Sequence, residues 1–150
     1  MKRSTTQAVH GWESLFRAQV AVLRRFRENF RTAEITFGEY DVLYNLTRFP
    51  GGRLRLRELN ENILLTQPSL SRLVERMEAG GLVLRQRDPL DGRGTMVGLT
   101  DYGREVQRRV GREHAAAIVR YVGGALTEDE LVTLGLLCEK LRAAQADIPE

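Results

Sequence analysis

The sequence predicts a mainly α chain that carries one small β-hairpin, and three observations predict it. Apolar residues recur at three- and four-residue spacing through most of the chain, as at Leu70, Leu73, Val74 and Met77, which turns one face of each helix to a core. Two Thr-x-x-Glu boxes, Thr36 with Glu39 and Thr127 with Glu130, mark helix starts because each side chain can satisfy an orphan N–H of the other's turn. Between Gly80-Gly81 and Asp101 the pattern changes: Asp88-Pro89-Leu90-Asp91-Gly92-Arg93-Gly94 is dense in turn residues, so residues 82–87 and 95–100 read as the two arms of a hairpin.

Taken in order, residues 7–31 place Val9, Trp12, Phe16, Leu23, Phe26 and Phe30 at an alternating three-four spacing completed by Gln19, which predicts a long packing helix. A second helix opens at the Thr36 box, runs through Tyr40, Leu43, Tyr44 and Leu46, and stops before Pro50-Gly51-Gly52. Residues 55–62 form a short third helix with Leu56, Leu59 and Ile63 inward, and Leu64-Leu65-Thr66 makes a turn. Thr66 caps the next helix, 66–79, with Gln67 and Pro68 as its first positions. Opposite its apolar face stand Pro68, Ser71 and Arg72, flanked by Gln67, Ser69 and Arg76. Hydroxyl, amide and guanidinium groups on one face suit a DNA groove. The hairpin adds Arg85 and Arg87 on its first arm and Arg93 at its tip, a basic ribbon able to enter a narrow minor groove. After it, residues 101–123 carry Tyr102, Val106, Val110, Ala117 and Val119 near one stripe, Gly123-Gly124 breaks the helix, and the Thr127 box opens a last one with Leu131, Leu134, Cys138 and Leu141.

The segment from Leu65 to Arg104 resembles the MarR family of winged helix-turn-helix transcriptional regulators. The likeness is carried by the Asp88-x-x-Asp91-x-Arg93 signature and by Leu99-Thr100-x-x-Gly103 at the opening of the next helix. The resemblance implies that helix 66–79 reads the major groove, that Arg93 reaches into the minor groove, and that Asp91 holds Arg93. It implies one domain over 1–150, with a winged DNA-binding lobe at 36–100 and terminal dimerisation helices at 7–31 and 101–145. The apolar surplus of those helices, at Val9, Val119, Leu131, Leu134, Cys138 and Leu141, then belongs to an interface with a second copy, and a two-fold dimer faces a palindromic operator on double-stranded DNA.

Single residues have two readings at this stage. Arg85 and Arg87 either touch phosphate or are exposed strand residues; Arg76 either touches phosphate or pairs with a neighbouring carboxylate; Asp88 is a turn former. Trp12, Phe16, Phe37, Tyr40 and Tyr44 are core by type and spacing. The resemblance offers them instead as the wall of a pocket for a small aromatic ligand, with His10 and Arg17 to meet a carboxylate.

Charge agrees with a nucleic-acid partner on one part of the chain. Only Lys2 and Lys140 are lysines, so arginine, which suits phosphate and guanine, makes up almost all of the 23 basic residues. Residues 53–112 hold twelve Arg against eight acids, net +4, whereas 113–150 hold three basic residues against seven acids, net −4. An Arg-for-Lys bias of the genome accounts for the first observation but not the second. No stretch has the length of a membrane span and the amino terminus lacks an apolar run after its charges, so the chain is expected in the cytoplasm. His10 and His114 have no partners at metal-ligand spacing, no glycine-rich loop follows a strand, and no Ser, His and acid set stands out. An enzyme and a cofactor are therefore not expected. Cys138 shares an apolar stripe and reads as inert packing, and the peroxide-sensing branch of the family carries its cysteine near the amino terminus, where this chain has none. A redox regulator acting through Cys138, or a winged helix that binds only protein, are the alternatives.

Overall fold

The computed structural model describes residues 4–149. Its elements are α1 (Thr5–Phe30), α2 (Phe37–Thr47), β1 (Arg53–Arg55), α3 (Leu56–Asn62), α4 (Leu70–Ala79), β2 (Val83–Arg87), β3 (Thr95–Leu99), α5 (Asp101–Ile118) and α6 (Glu128–Ala144). The chain divides into two units, one of residues 26–114 and one of the residues up to 25 together with those from 115 onward. No described helix is long and apolar enough to cross a membrane.

In the 26–114 unit, local signals and tertiary packing agree. Thr36 Oγ1 accepts the Glu39 N–H at 3.1 Å and Glu39 Oε1 accepts the Thr36 N–H at 2.9 Å, so the α2 capping box is fully formed. Leu43 and Leu46 of α2, Leu59 of α3, Val74 and Met77 of α4, Val83 and Val97 of the strands and Val106 of α5 are fully buried in one core. Each of the larger ones contributes roughly 1.5–3 kcal/mol by leaving water. The strands make an antiparallel sheet in the order β1-β3-β2, with Leu54 and Arg85 on either side of Val97. The hairpin is thus joined by a third strand that the sequence does not announce, since Arg53-Leu54-Arg55 offers a single apolar residue. The Leu99-Thr100-x-x-Gly103 motif closes the wing onto α5. Thr100 Oγ1 donates to the Gly81 carbonyl at 2.6 Å and accepts the Gly103 N–H at 2.9 Å. A Cβ on Gly103 would overlap the Leu82 carbonyl oxygen, so this close approach admits only glycine. Arg109 of α5 clasps Glu34 through two hydrogen bonds of 2.8 and 2.7 Å, which holds the Glu34 carboxyl below its usual range.

One helix start differs from expectation. α4 opens at Leu70, not at Thr66, because Ser69 is the cap: its backbone is extended and its Oγ accepts the Arg72 N–H at 3.3 Å. Pro68 disfavours a helical Gln67, so Gln67 is not the first helical residue that a cap at Thr66 requires.

In the other unit, α5 continues through a π-helical turn, Val119–Gly123, and α6 starts at a second complete capping box in which Thr127 Oγ1 accepts the Glu130 N–H. α6 buries no residue: Val132, Leu134, Leu136, Leu137 and Leu141 are all exposed, whereas Leu131 and Cys138 are half-buried. The exposed apolar surface is therefore broader than the predicted stripe and includes Val132, Leu136 and Leu137, which helical spacing alone does not single out. Val9 and Val119 are exposed as well.

Candidate nucleic-acid interface

The amphipathic pattern of α4 is realised as predicted on its inner side: Leu70, Leu73, Val74 and Met77 are buried. Ser71, Arg72 and Arg76 are exposed. The residues ahead of the helix divide. Pro68 is exposed and Ser69, half-buried, spends its hydroxyl on the cap. Gln67 lies back across α2, so close that a Cβ added to Gly38 would stand 2.5 Å from its Nε2. Its amide is placed against α2, not on the outward face with Ser71 and Arg72.

On the wing, the arginines fall into two groups. Arg85 is committed to Glu78 in the last turns of α4: its Nε and a terminal nitrogen reach Glu78 Oε1 at 3.1 and 3.0 Å, and its backbone N–H reaches Oε2 at 2.8 Å. Those bonds, the backbone one first, hold the Glu78 carboxyl below its ordinary value. Its charge is thus matched by Glu78 within the chain, a pair with which phosphate contact, one of its two readings, would compete. Arg87 and Arg93, like Arg72 and Arg76, have no ion-pair partner among the described residues. Arg76 thus lacks the carboxylate partner that was one of its two readings. Arg87 and Arg93 line one groove along the wing with Gln86, Gly92 and Thr95.

Asp91 does not hold the Arg93 guanidinium. Its Oδ1 accepts the Arg93 backbone N–H at 3.1 Å, and its carbonyl accepts the Gly94 N–H at 2.9 Å, so it shapes the turn that displays Arg93. Asp88 does more than turn the chain. Buried at the wing's base, it accepts the Leu90 N–H at 2.9 Å and the Nε–H of Arg55, which together hold its carboxyl below the usual range, the Leu90 bond contributing most. Sequence reasoning missed Arg55; its alternation with Arg53 about Leu54 was the available signal.

The seven pocket candidates separate into two places. Trp12 and Phe16 pack at 5.5 Å between ring centroids and line a surface groove on α1 with Arg17 and Arg24. At 58% and 49% exposure neither ring is core within the single chain. His10 is exposed on the same helix. In the other unit Phe37 and Tyr40 join Phe26 and Phe30 around His114: Phe30 stacks on Phe37 at 4.5 Å, and His114 meets Phe26 at 4.8 Å and Tyr40 at 5.2 Å. Tyr44 stacks on Tyr40 from an exposed position. Burial lowers the His114 imidazole below its ordinary value. The sequence signal for its burial is that His114 continues the Val106, Val110 stripe by one further turn.

A short helix, a turn, a second helix with a polar outer face and a three-stranded wing define a winged helix-turn-helix protein. Residues 34–94 match the model of the MarR family. Over 69% of its length the chain is 31% identical to the uncharacterized HTH-type transcriptional regulator YkoM of Bacillus subtilis, of which it spans 64%, slightly less than two thirds. Among solved structures, Sco3205 of Streptomyces coelicolor, a MarR family transcriptional regulator in complex with DNA, superposes with a TM-score of 0.80 at 30% identity, covering 96% of this chain and 91% of that one. The PcaV transcriptional regulator of the same organism, in complex with its natural ligand, gives 0.72 at 29% identity, covering 97% and 99%. The chain belongs to the MarR family.

Proposed function

We propose that this protein is a homodimeric, sequence-specific DNA-binding transcriptional regulator of the cytoplasm, a repressor that sits on a palindromic operator and is released by a small, aromatic acid ligand. The observation that carries the reading is the set of exposed guanidinium groups on α4 and the wing that have no ion-pair partner among the described residues, Arg72, Arg76, Arg87 and Arg93, while Arg55 and Arg85 beside them are matched. An unmatched cation gains by meeting phosphate or a base edge, and these four lie on the helix and the hairpin that a winged helix offers to the two grooves. The winged lobe, 36–100, carries DNA contact in this reading, and the helices at 7–31 and 101–145 carry dimerisation. The dimer is supported by the exposed apolar side chains of α6, and ligand release by the exposed aromatic groove of Trp12 and Phe16 with Arg17 beside it.

Selection of duplexes from a random pool tests the reading: one palindromic consensus is expected, and recovery of no enriched sequence would contradict it. A panel of aromatic carboxylates, followed by Trp12 fluorescence and by displacement of the selected duplex, tests the ligand. Silence in both assays would remove the ligand from the account.

A further inference from the structure

The connection between α3 and α4 is long for a helix-turn-helix. α3 closes at Asn62 and α4 opens at Leu70, leaving seven residues, 63–69, where about three or four are usual. None of them is in regular structure, and Leu64 in their midst is 77% exposed, so apolar burial secures the segment only near Ile63. Hydrogen bonds must secure the rest, and they converge on α2. Asp41 Oδ2 accepts the N–H of Leu64 at 2.8 Å and that of Leu65 at 2.7 Å. Its Oδ1 accepts from Asn45 Nδ2 at 3.0 Å, and the same Asn45 nitrogen donates to the Asp41 carbonyl at 2.8 Å, which fixes the carboxylate's direction. Gly38, one turn earlier on that face, receives Gln67.

Only an acceptor-only group fits this arrangement. Three N–H donors point at the two oxygens, and an amide in the same place would aim its own N–H at one of them. Burial of the carboxylate is costly: desolvation raises the Asp41 pKa despite the Leu65, Leu64 and Asn45 bonds that lower it. The helices do not need that charge to pack, since Leu43, Leu46, Leu59, Leu73, Val74 and Met77 bury themselves without touching the turn's N–H groups.

We infer that Asp41 is a positioning residue for DNA recognition: by holding Leu64 and Leu65 it sets where Ser69 caps α4, and so where Ser71 and Arg72 stand against a groove. This rests on the reading of α4 as the recognition helix. Phosphate contacts from the wing do not depend on the turn, so loss of Asp41 separates specific from non-specific binding.

The test compares wild type with Asp41→Asn on the duplex that wild type selects from a random pool and on an unrelated duplex of equal length, together with amide exchange at Leu64 and Leu65. Asp41→Asn is expected to lose about tenfold or more in affinity for the selected duplex, as for a lost hydrogen bond to a buried charge. Its affinity for the unrelated duplex stays as in wild type, and the Leu64 and Leu65 amides exchange faster while Val42 and Leu43 remain protected. Unchanged exchange with unchanged affinity would overturn the inference, and so would equal loss on both duplexes. If Asp41→Asn does not fold, Asn45→Ala, which leaves the carboxylate but frees its direction, is expected to show the same pattern in weaker form, and wild-type behaviour there overturns it. If wild type itself selects no duplex, the reading of α4 fails and this inference with it, while fast exchange in Asp41→Asn still attributes the turn to Asp41.

Discussion

Arg55 and Asp88 stand 33 residues apart in sequence and meet at 2.5 Å, Nε to Oδ2, joining the residue that precedes α3 to the base of the wing. In the hairpin of the wing, β2 is exposed beyond Val83 and β3 is half-buried around Val97, so little burial fixes the angle of its outer part. This ion pair and the Glu78 clasp on Arg85 supply what burial does not.

Asp88→Asn is therefore expected to lower the melting temperature at neutral pH and to lower DNA affinity severalfold, because the display of Arg93 loses its base. The sign with pH follows from the depressed carboxyl: its contribution is complete above the ordinary value of 3.8 and is lost as pH falls through the depressed one. Urea melts carried from neutral pH down through the ordinary Asp value of 3.8 and below it should show wild type losing more than the variant. Equal acid sensitivity would show that Asp88 is not held this way.

The arginines of the wing should fail differently. Arg93→Ala, with an exposed side chain and no ion-pair partner among the described residues, should weaken binding of the selected duplex by about 1–3 kcal/mol without affecting folding. Arg87→Ala should weaken all duplexes alike and flatten the slope of log affinity against log salt by about one unit. Arg85→Ala should barely move that slope, since Glu78 already matches its charge. Titrations of the three variants across salt concentrations check the order, and a slope change in Arg85→Ala equal to that in Arg87→Ala would contradict it.

Leu136→Asp and Leu137→Asp place a charge on the exposed apolar surface of α6, where neither residue has anything to support in the single chain. Light scattering at micromolar concentration should give a dimer for wild type and a monomer for the double variant. A wild-type monomer would remove the second subunit from the account.

His114 makes stability sensitive to mild acid. Burial lowers its pKa from 6.5, so the unfolded chain takes up a proton that the folded one resists. Stability should be flat above this value and fall as pH drops from it toward the lowered one. His114→Phe should abolish that part of the fall, read as the difference between the melting curves of the two proteins. A difference independent of pH would return His114 to inert packing.

What the sequence made legible was what depends on near neighbours. The Thr36 and Thr127 boxes each close within three residues, and both formed as read. The start of α4 was misplaced because Thr66 and Ser69 are both good caps and the choice between them lies with Pro68 and with Asp41 on another helix. Asp41 itself was invisible: an acid inside a helical pattern reads as surface, and its N–H partners lie 23 and 24 residues away. β1 was invisible for a similar reason, since three residues become a strand only when β3 pairs with them. In the candidate interface, helical projection placed Ser71, Arg72 and Arg76 outward, but it could not foresee that Gln67 folds onto Gly38 or that Glu78 takes Arg85. Those outcomes depend on how the segment before α4 meets α2 and how α4 meets the sheet, which periodicity does not contain.

In the proposed complex α4 reads base edges in the major groove, while the wing places Arg93 in the minor groove and Arg87 on the backbone. Arg72→Ala, compared with wild type in parallel selections from the same random pool, tests it most directly. Wild type is expected to yield a palindrome with half-site centres about 10 base pairs apart, and Arg72→Ala the same palindrome with preference relaxed at one position in each half. An unchanged consensus from Arg72→Ala, or no consensus from wild type, would contradict it.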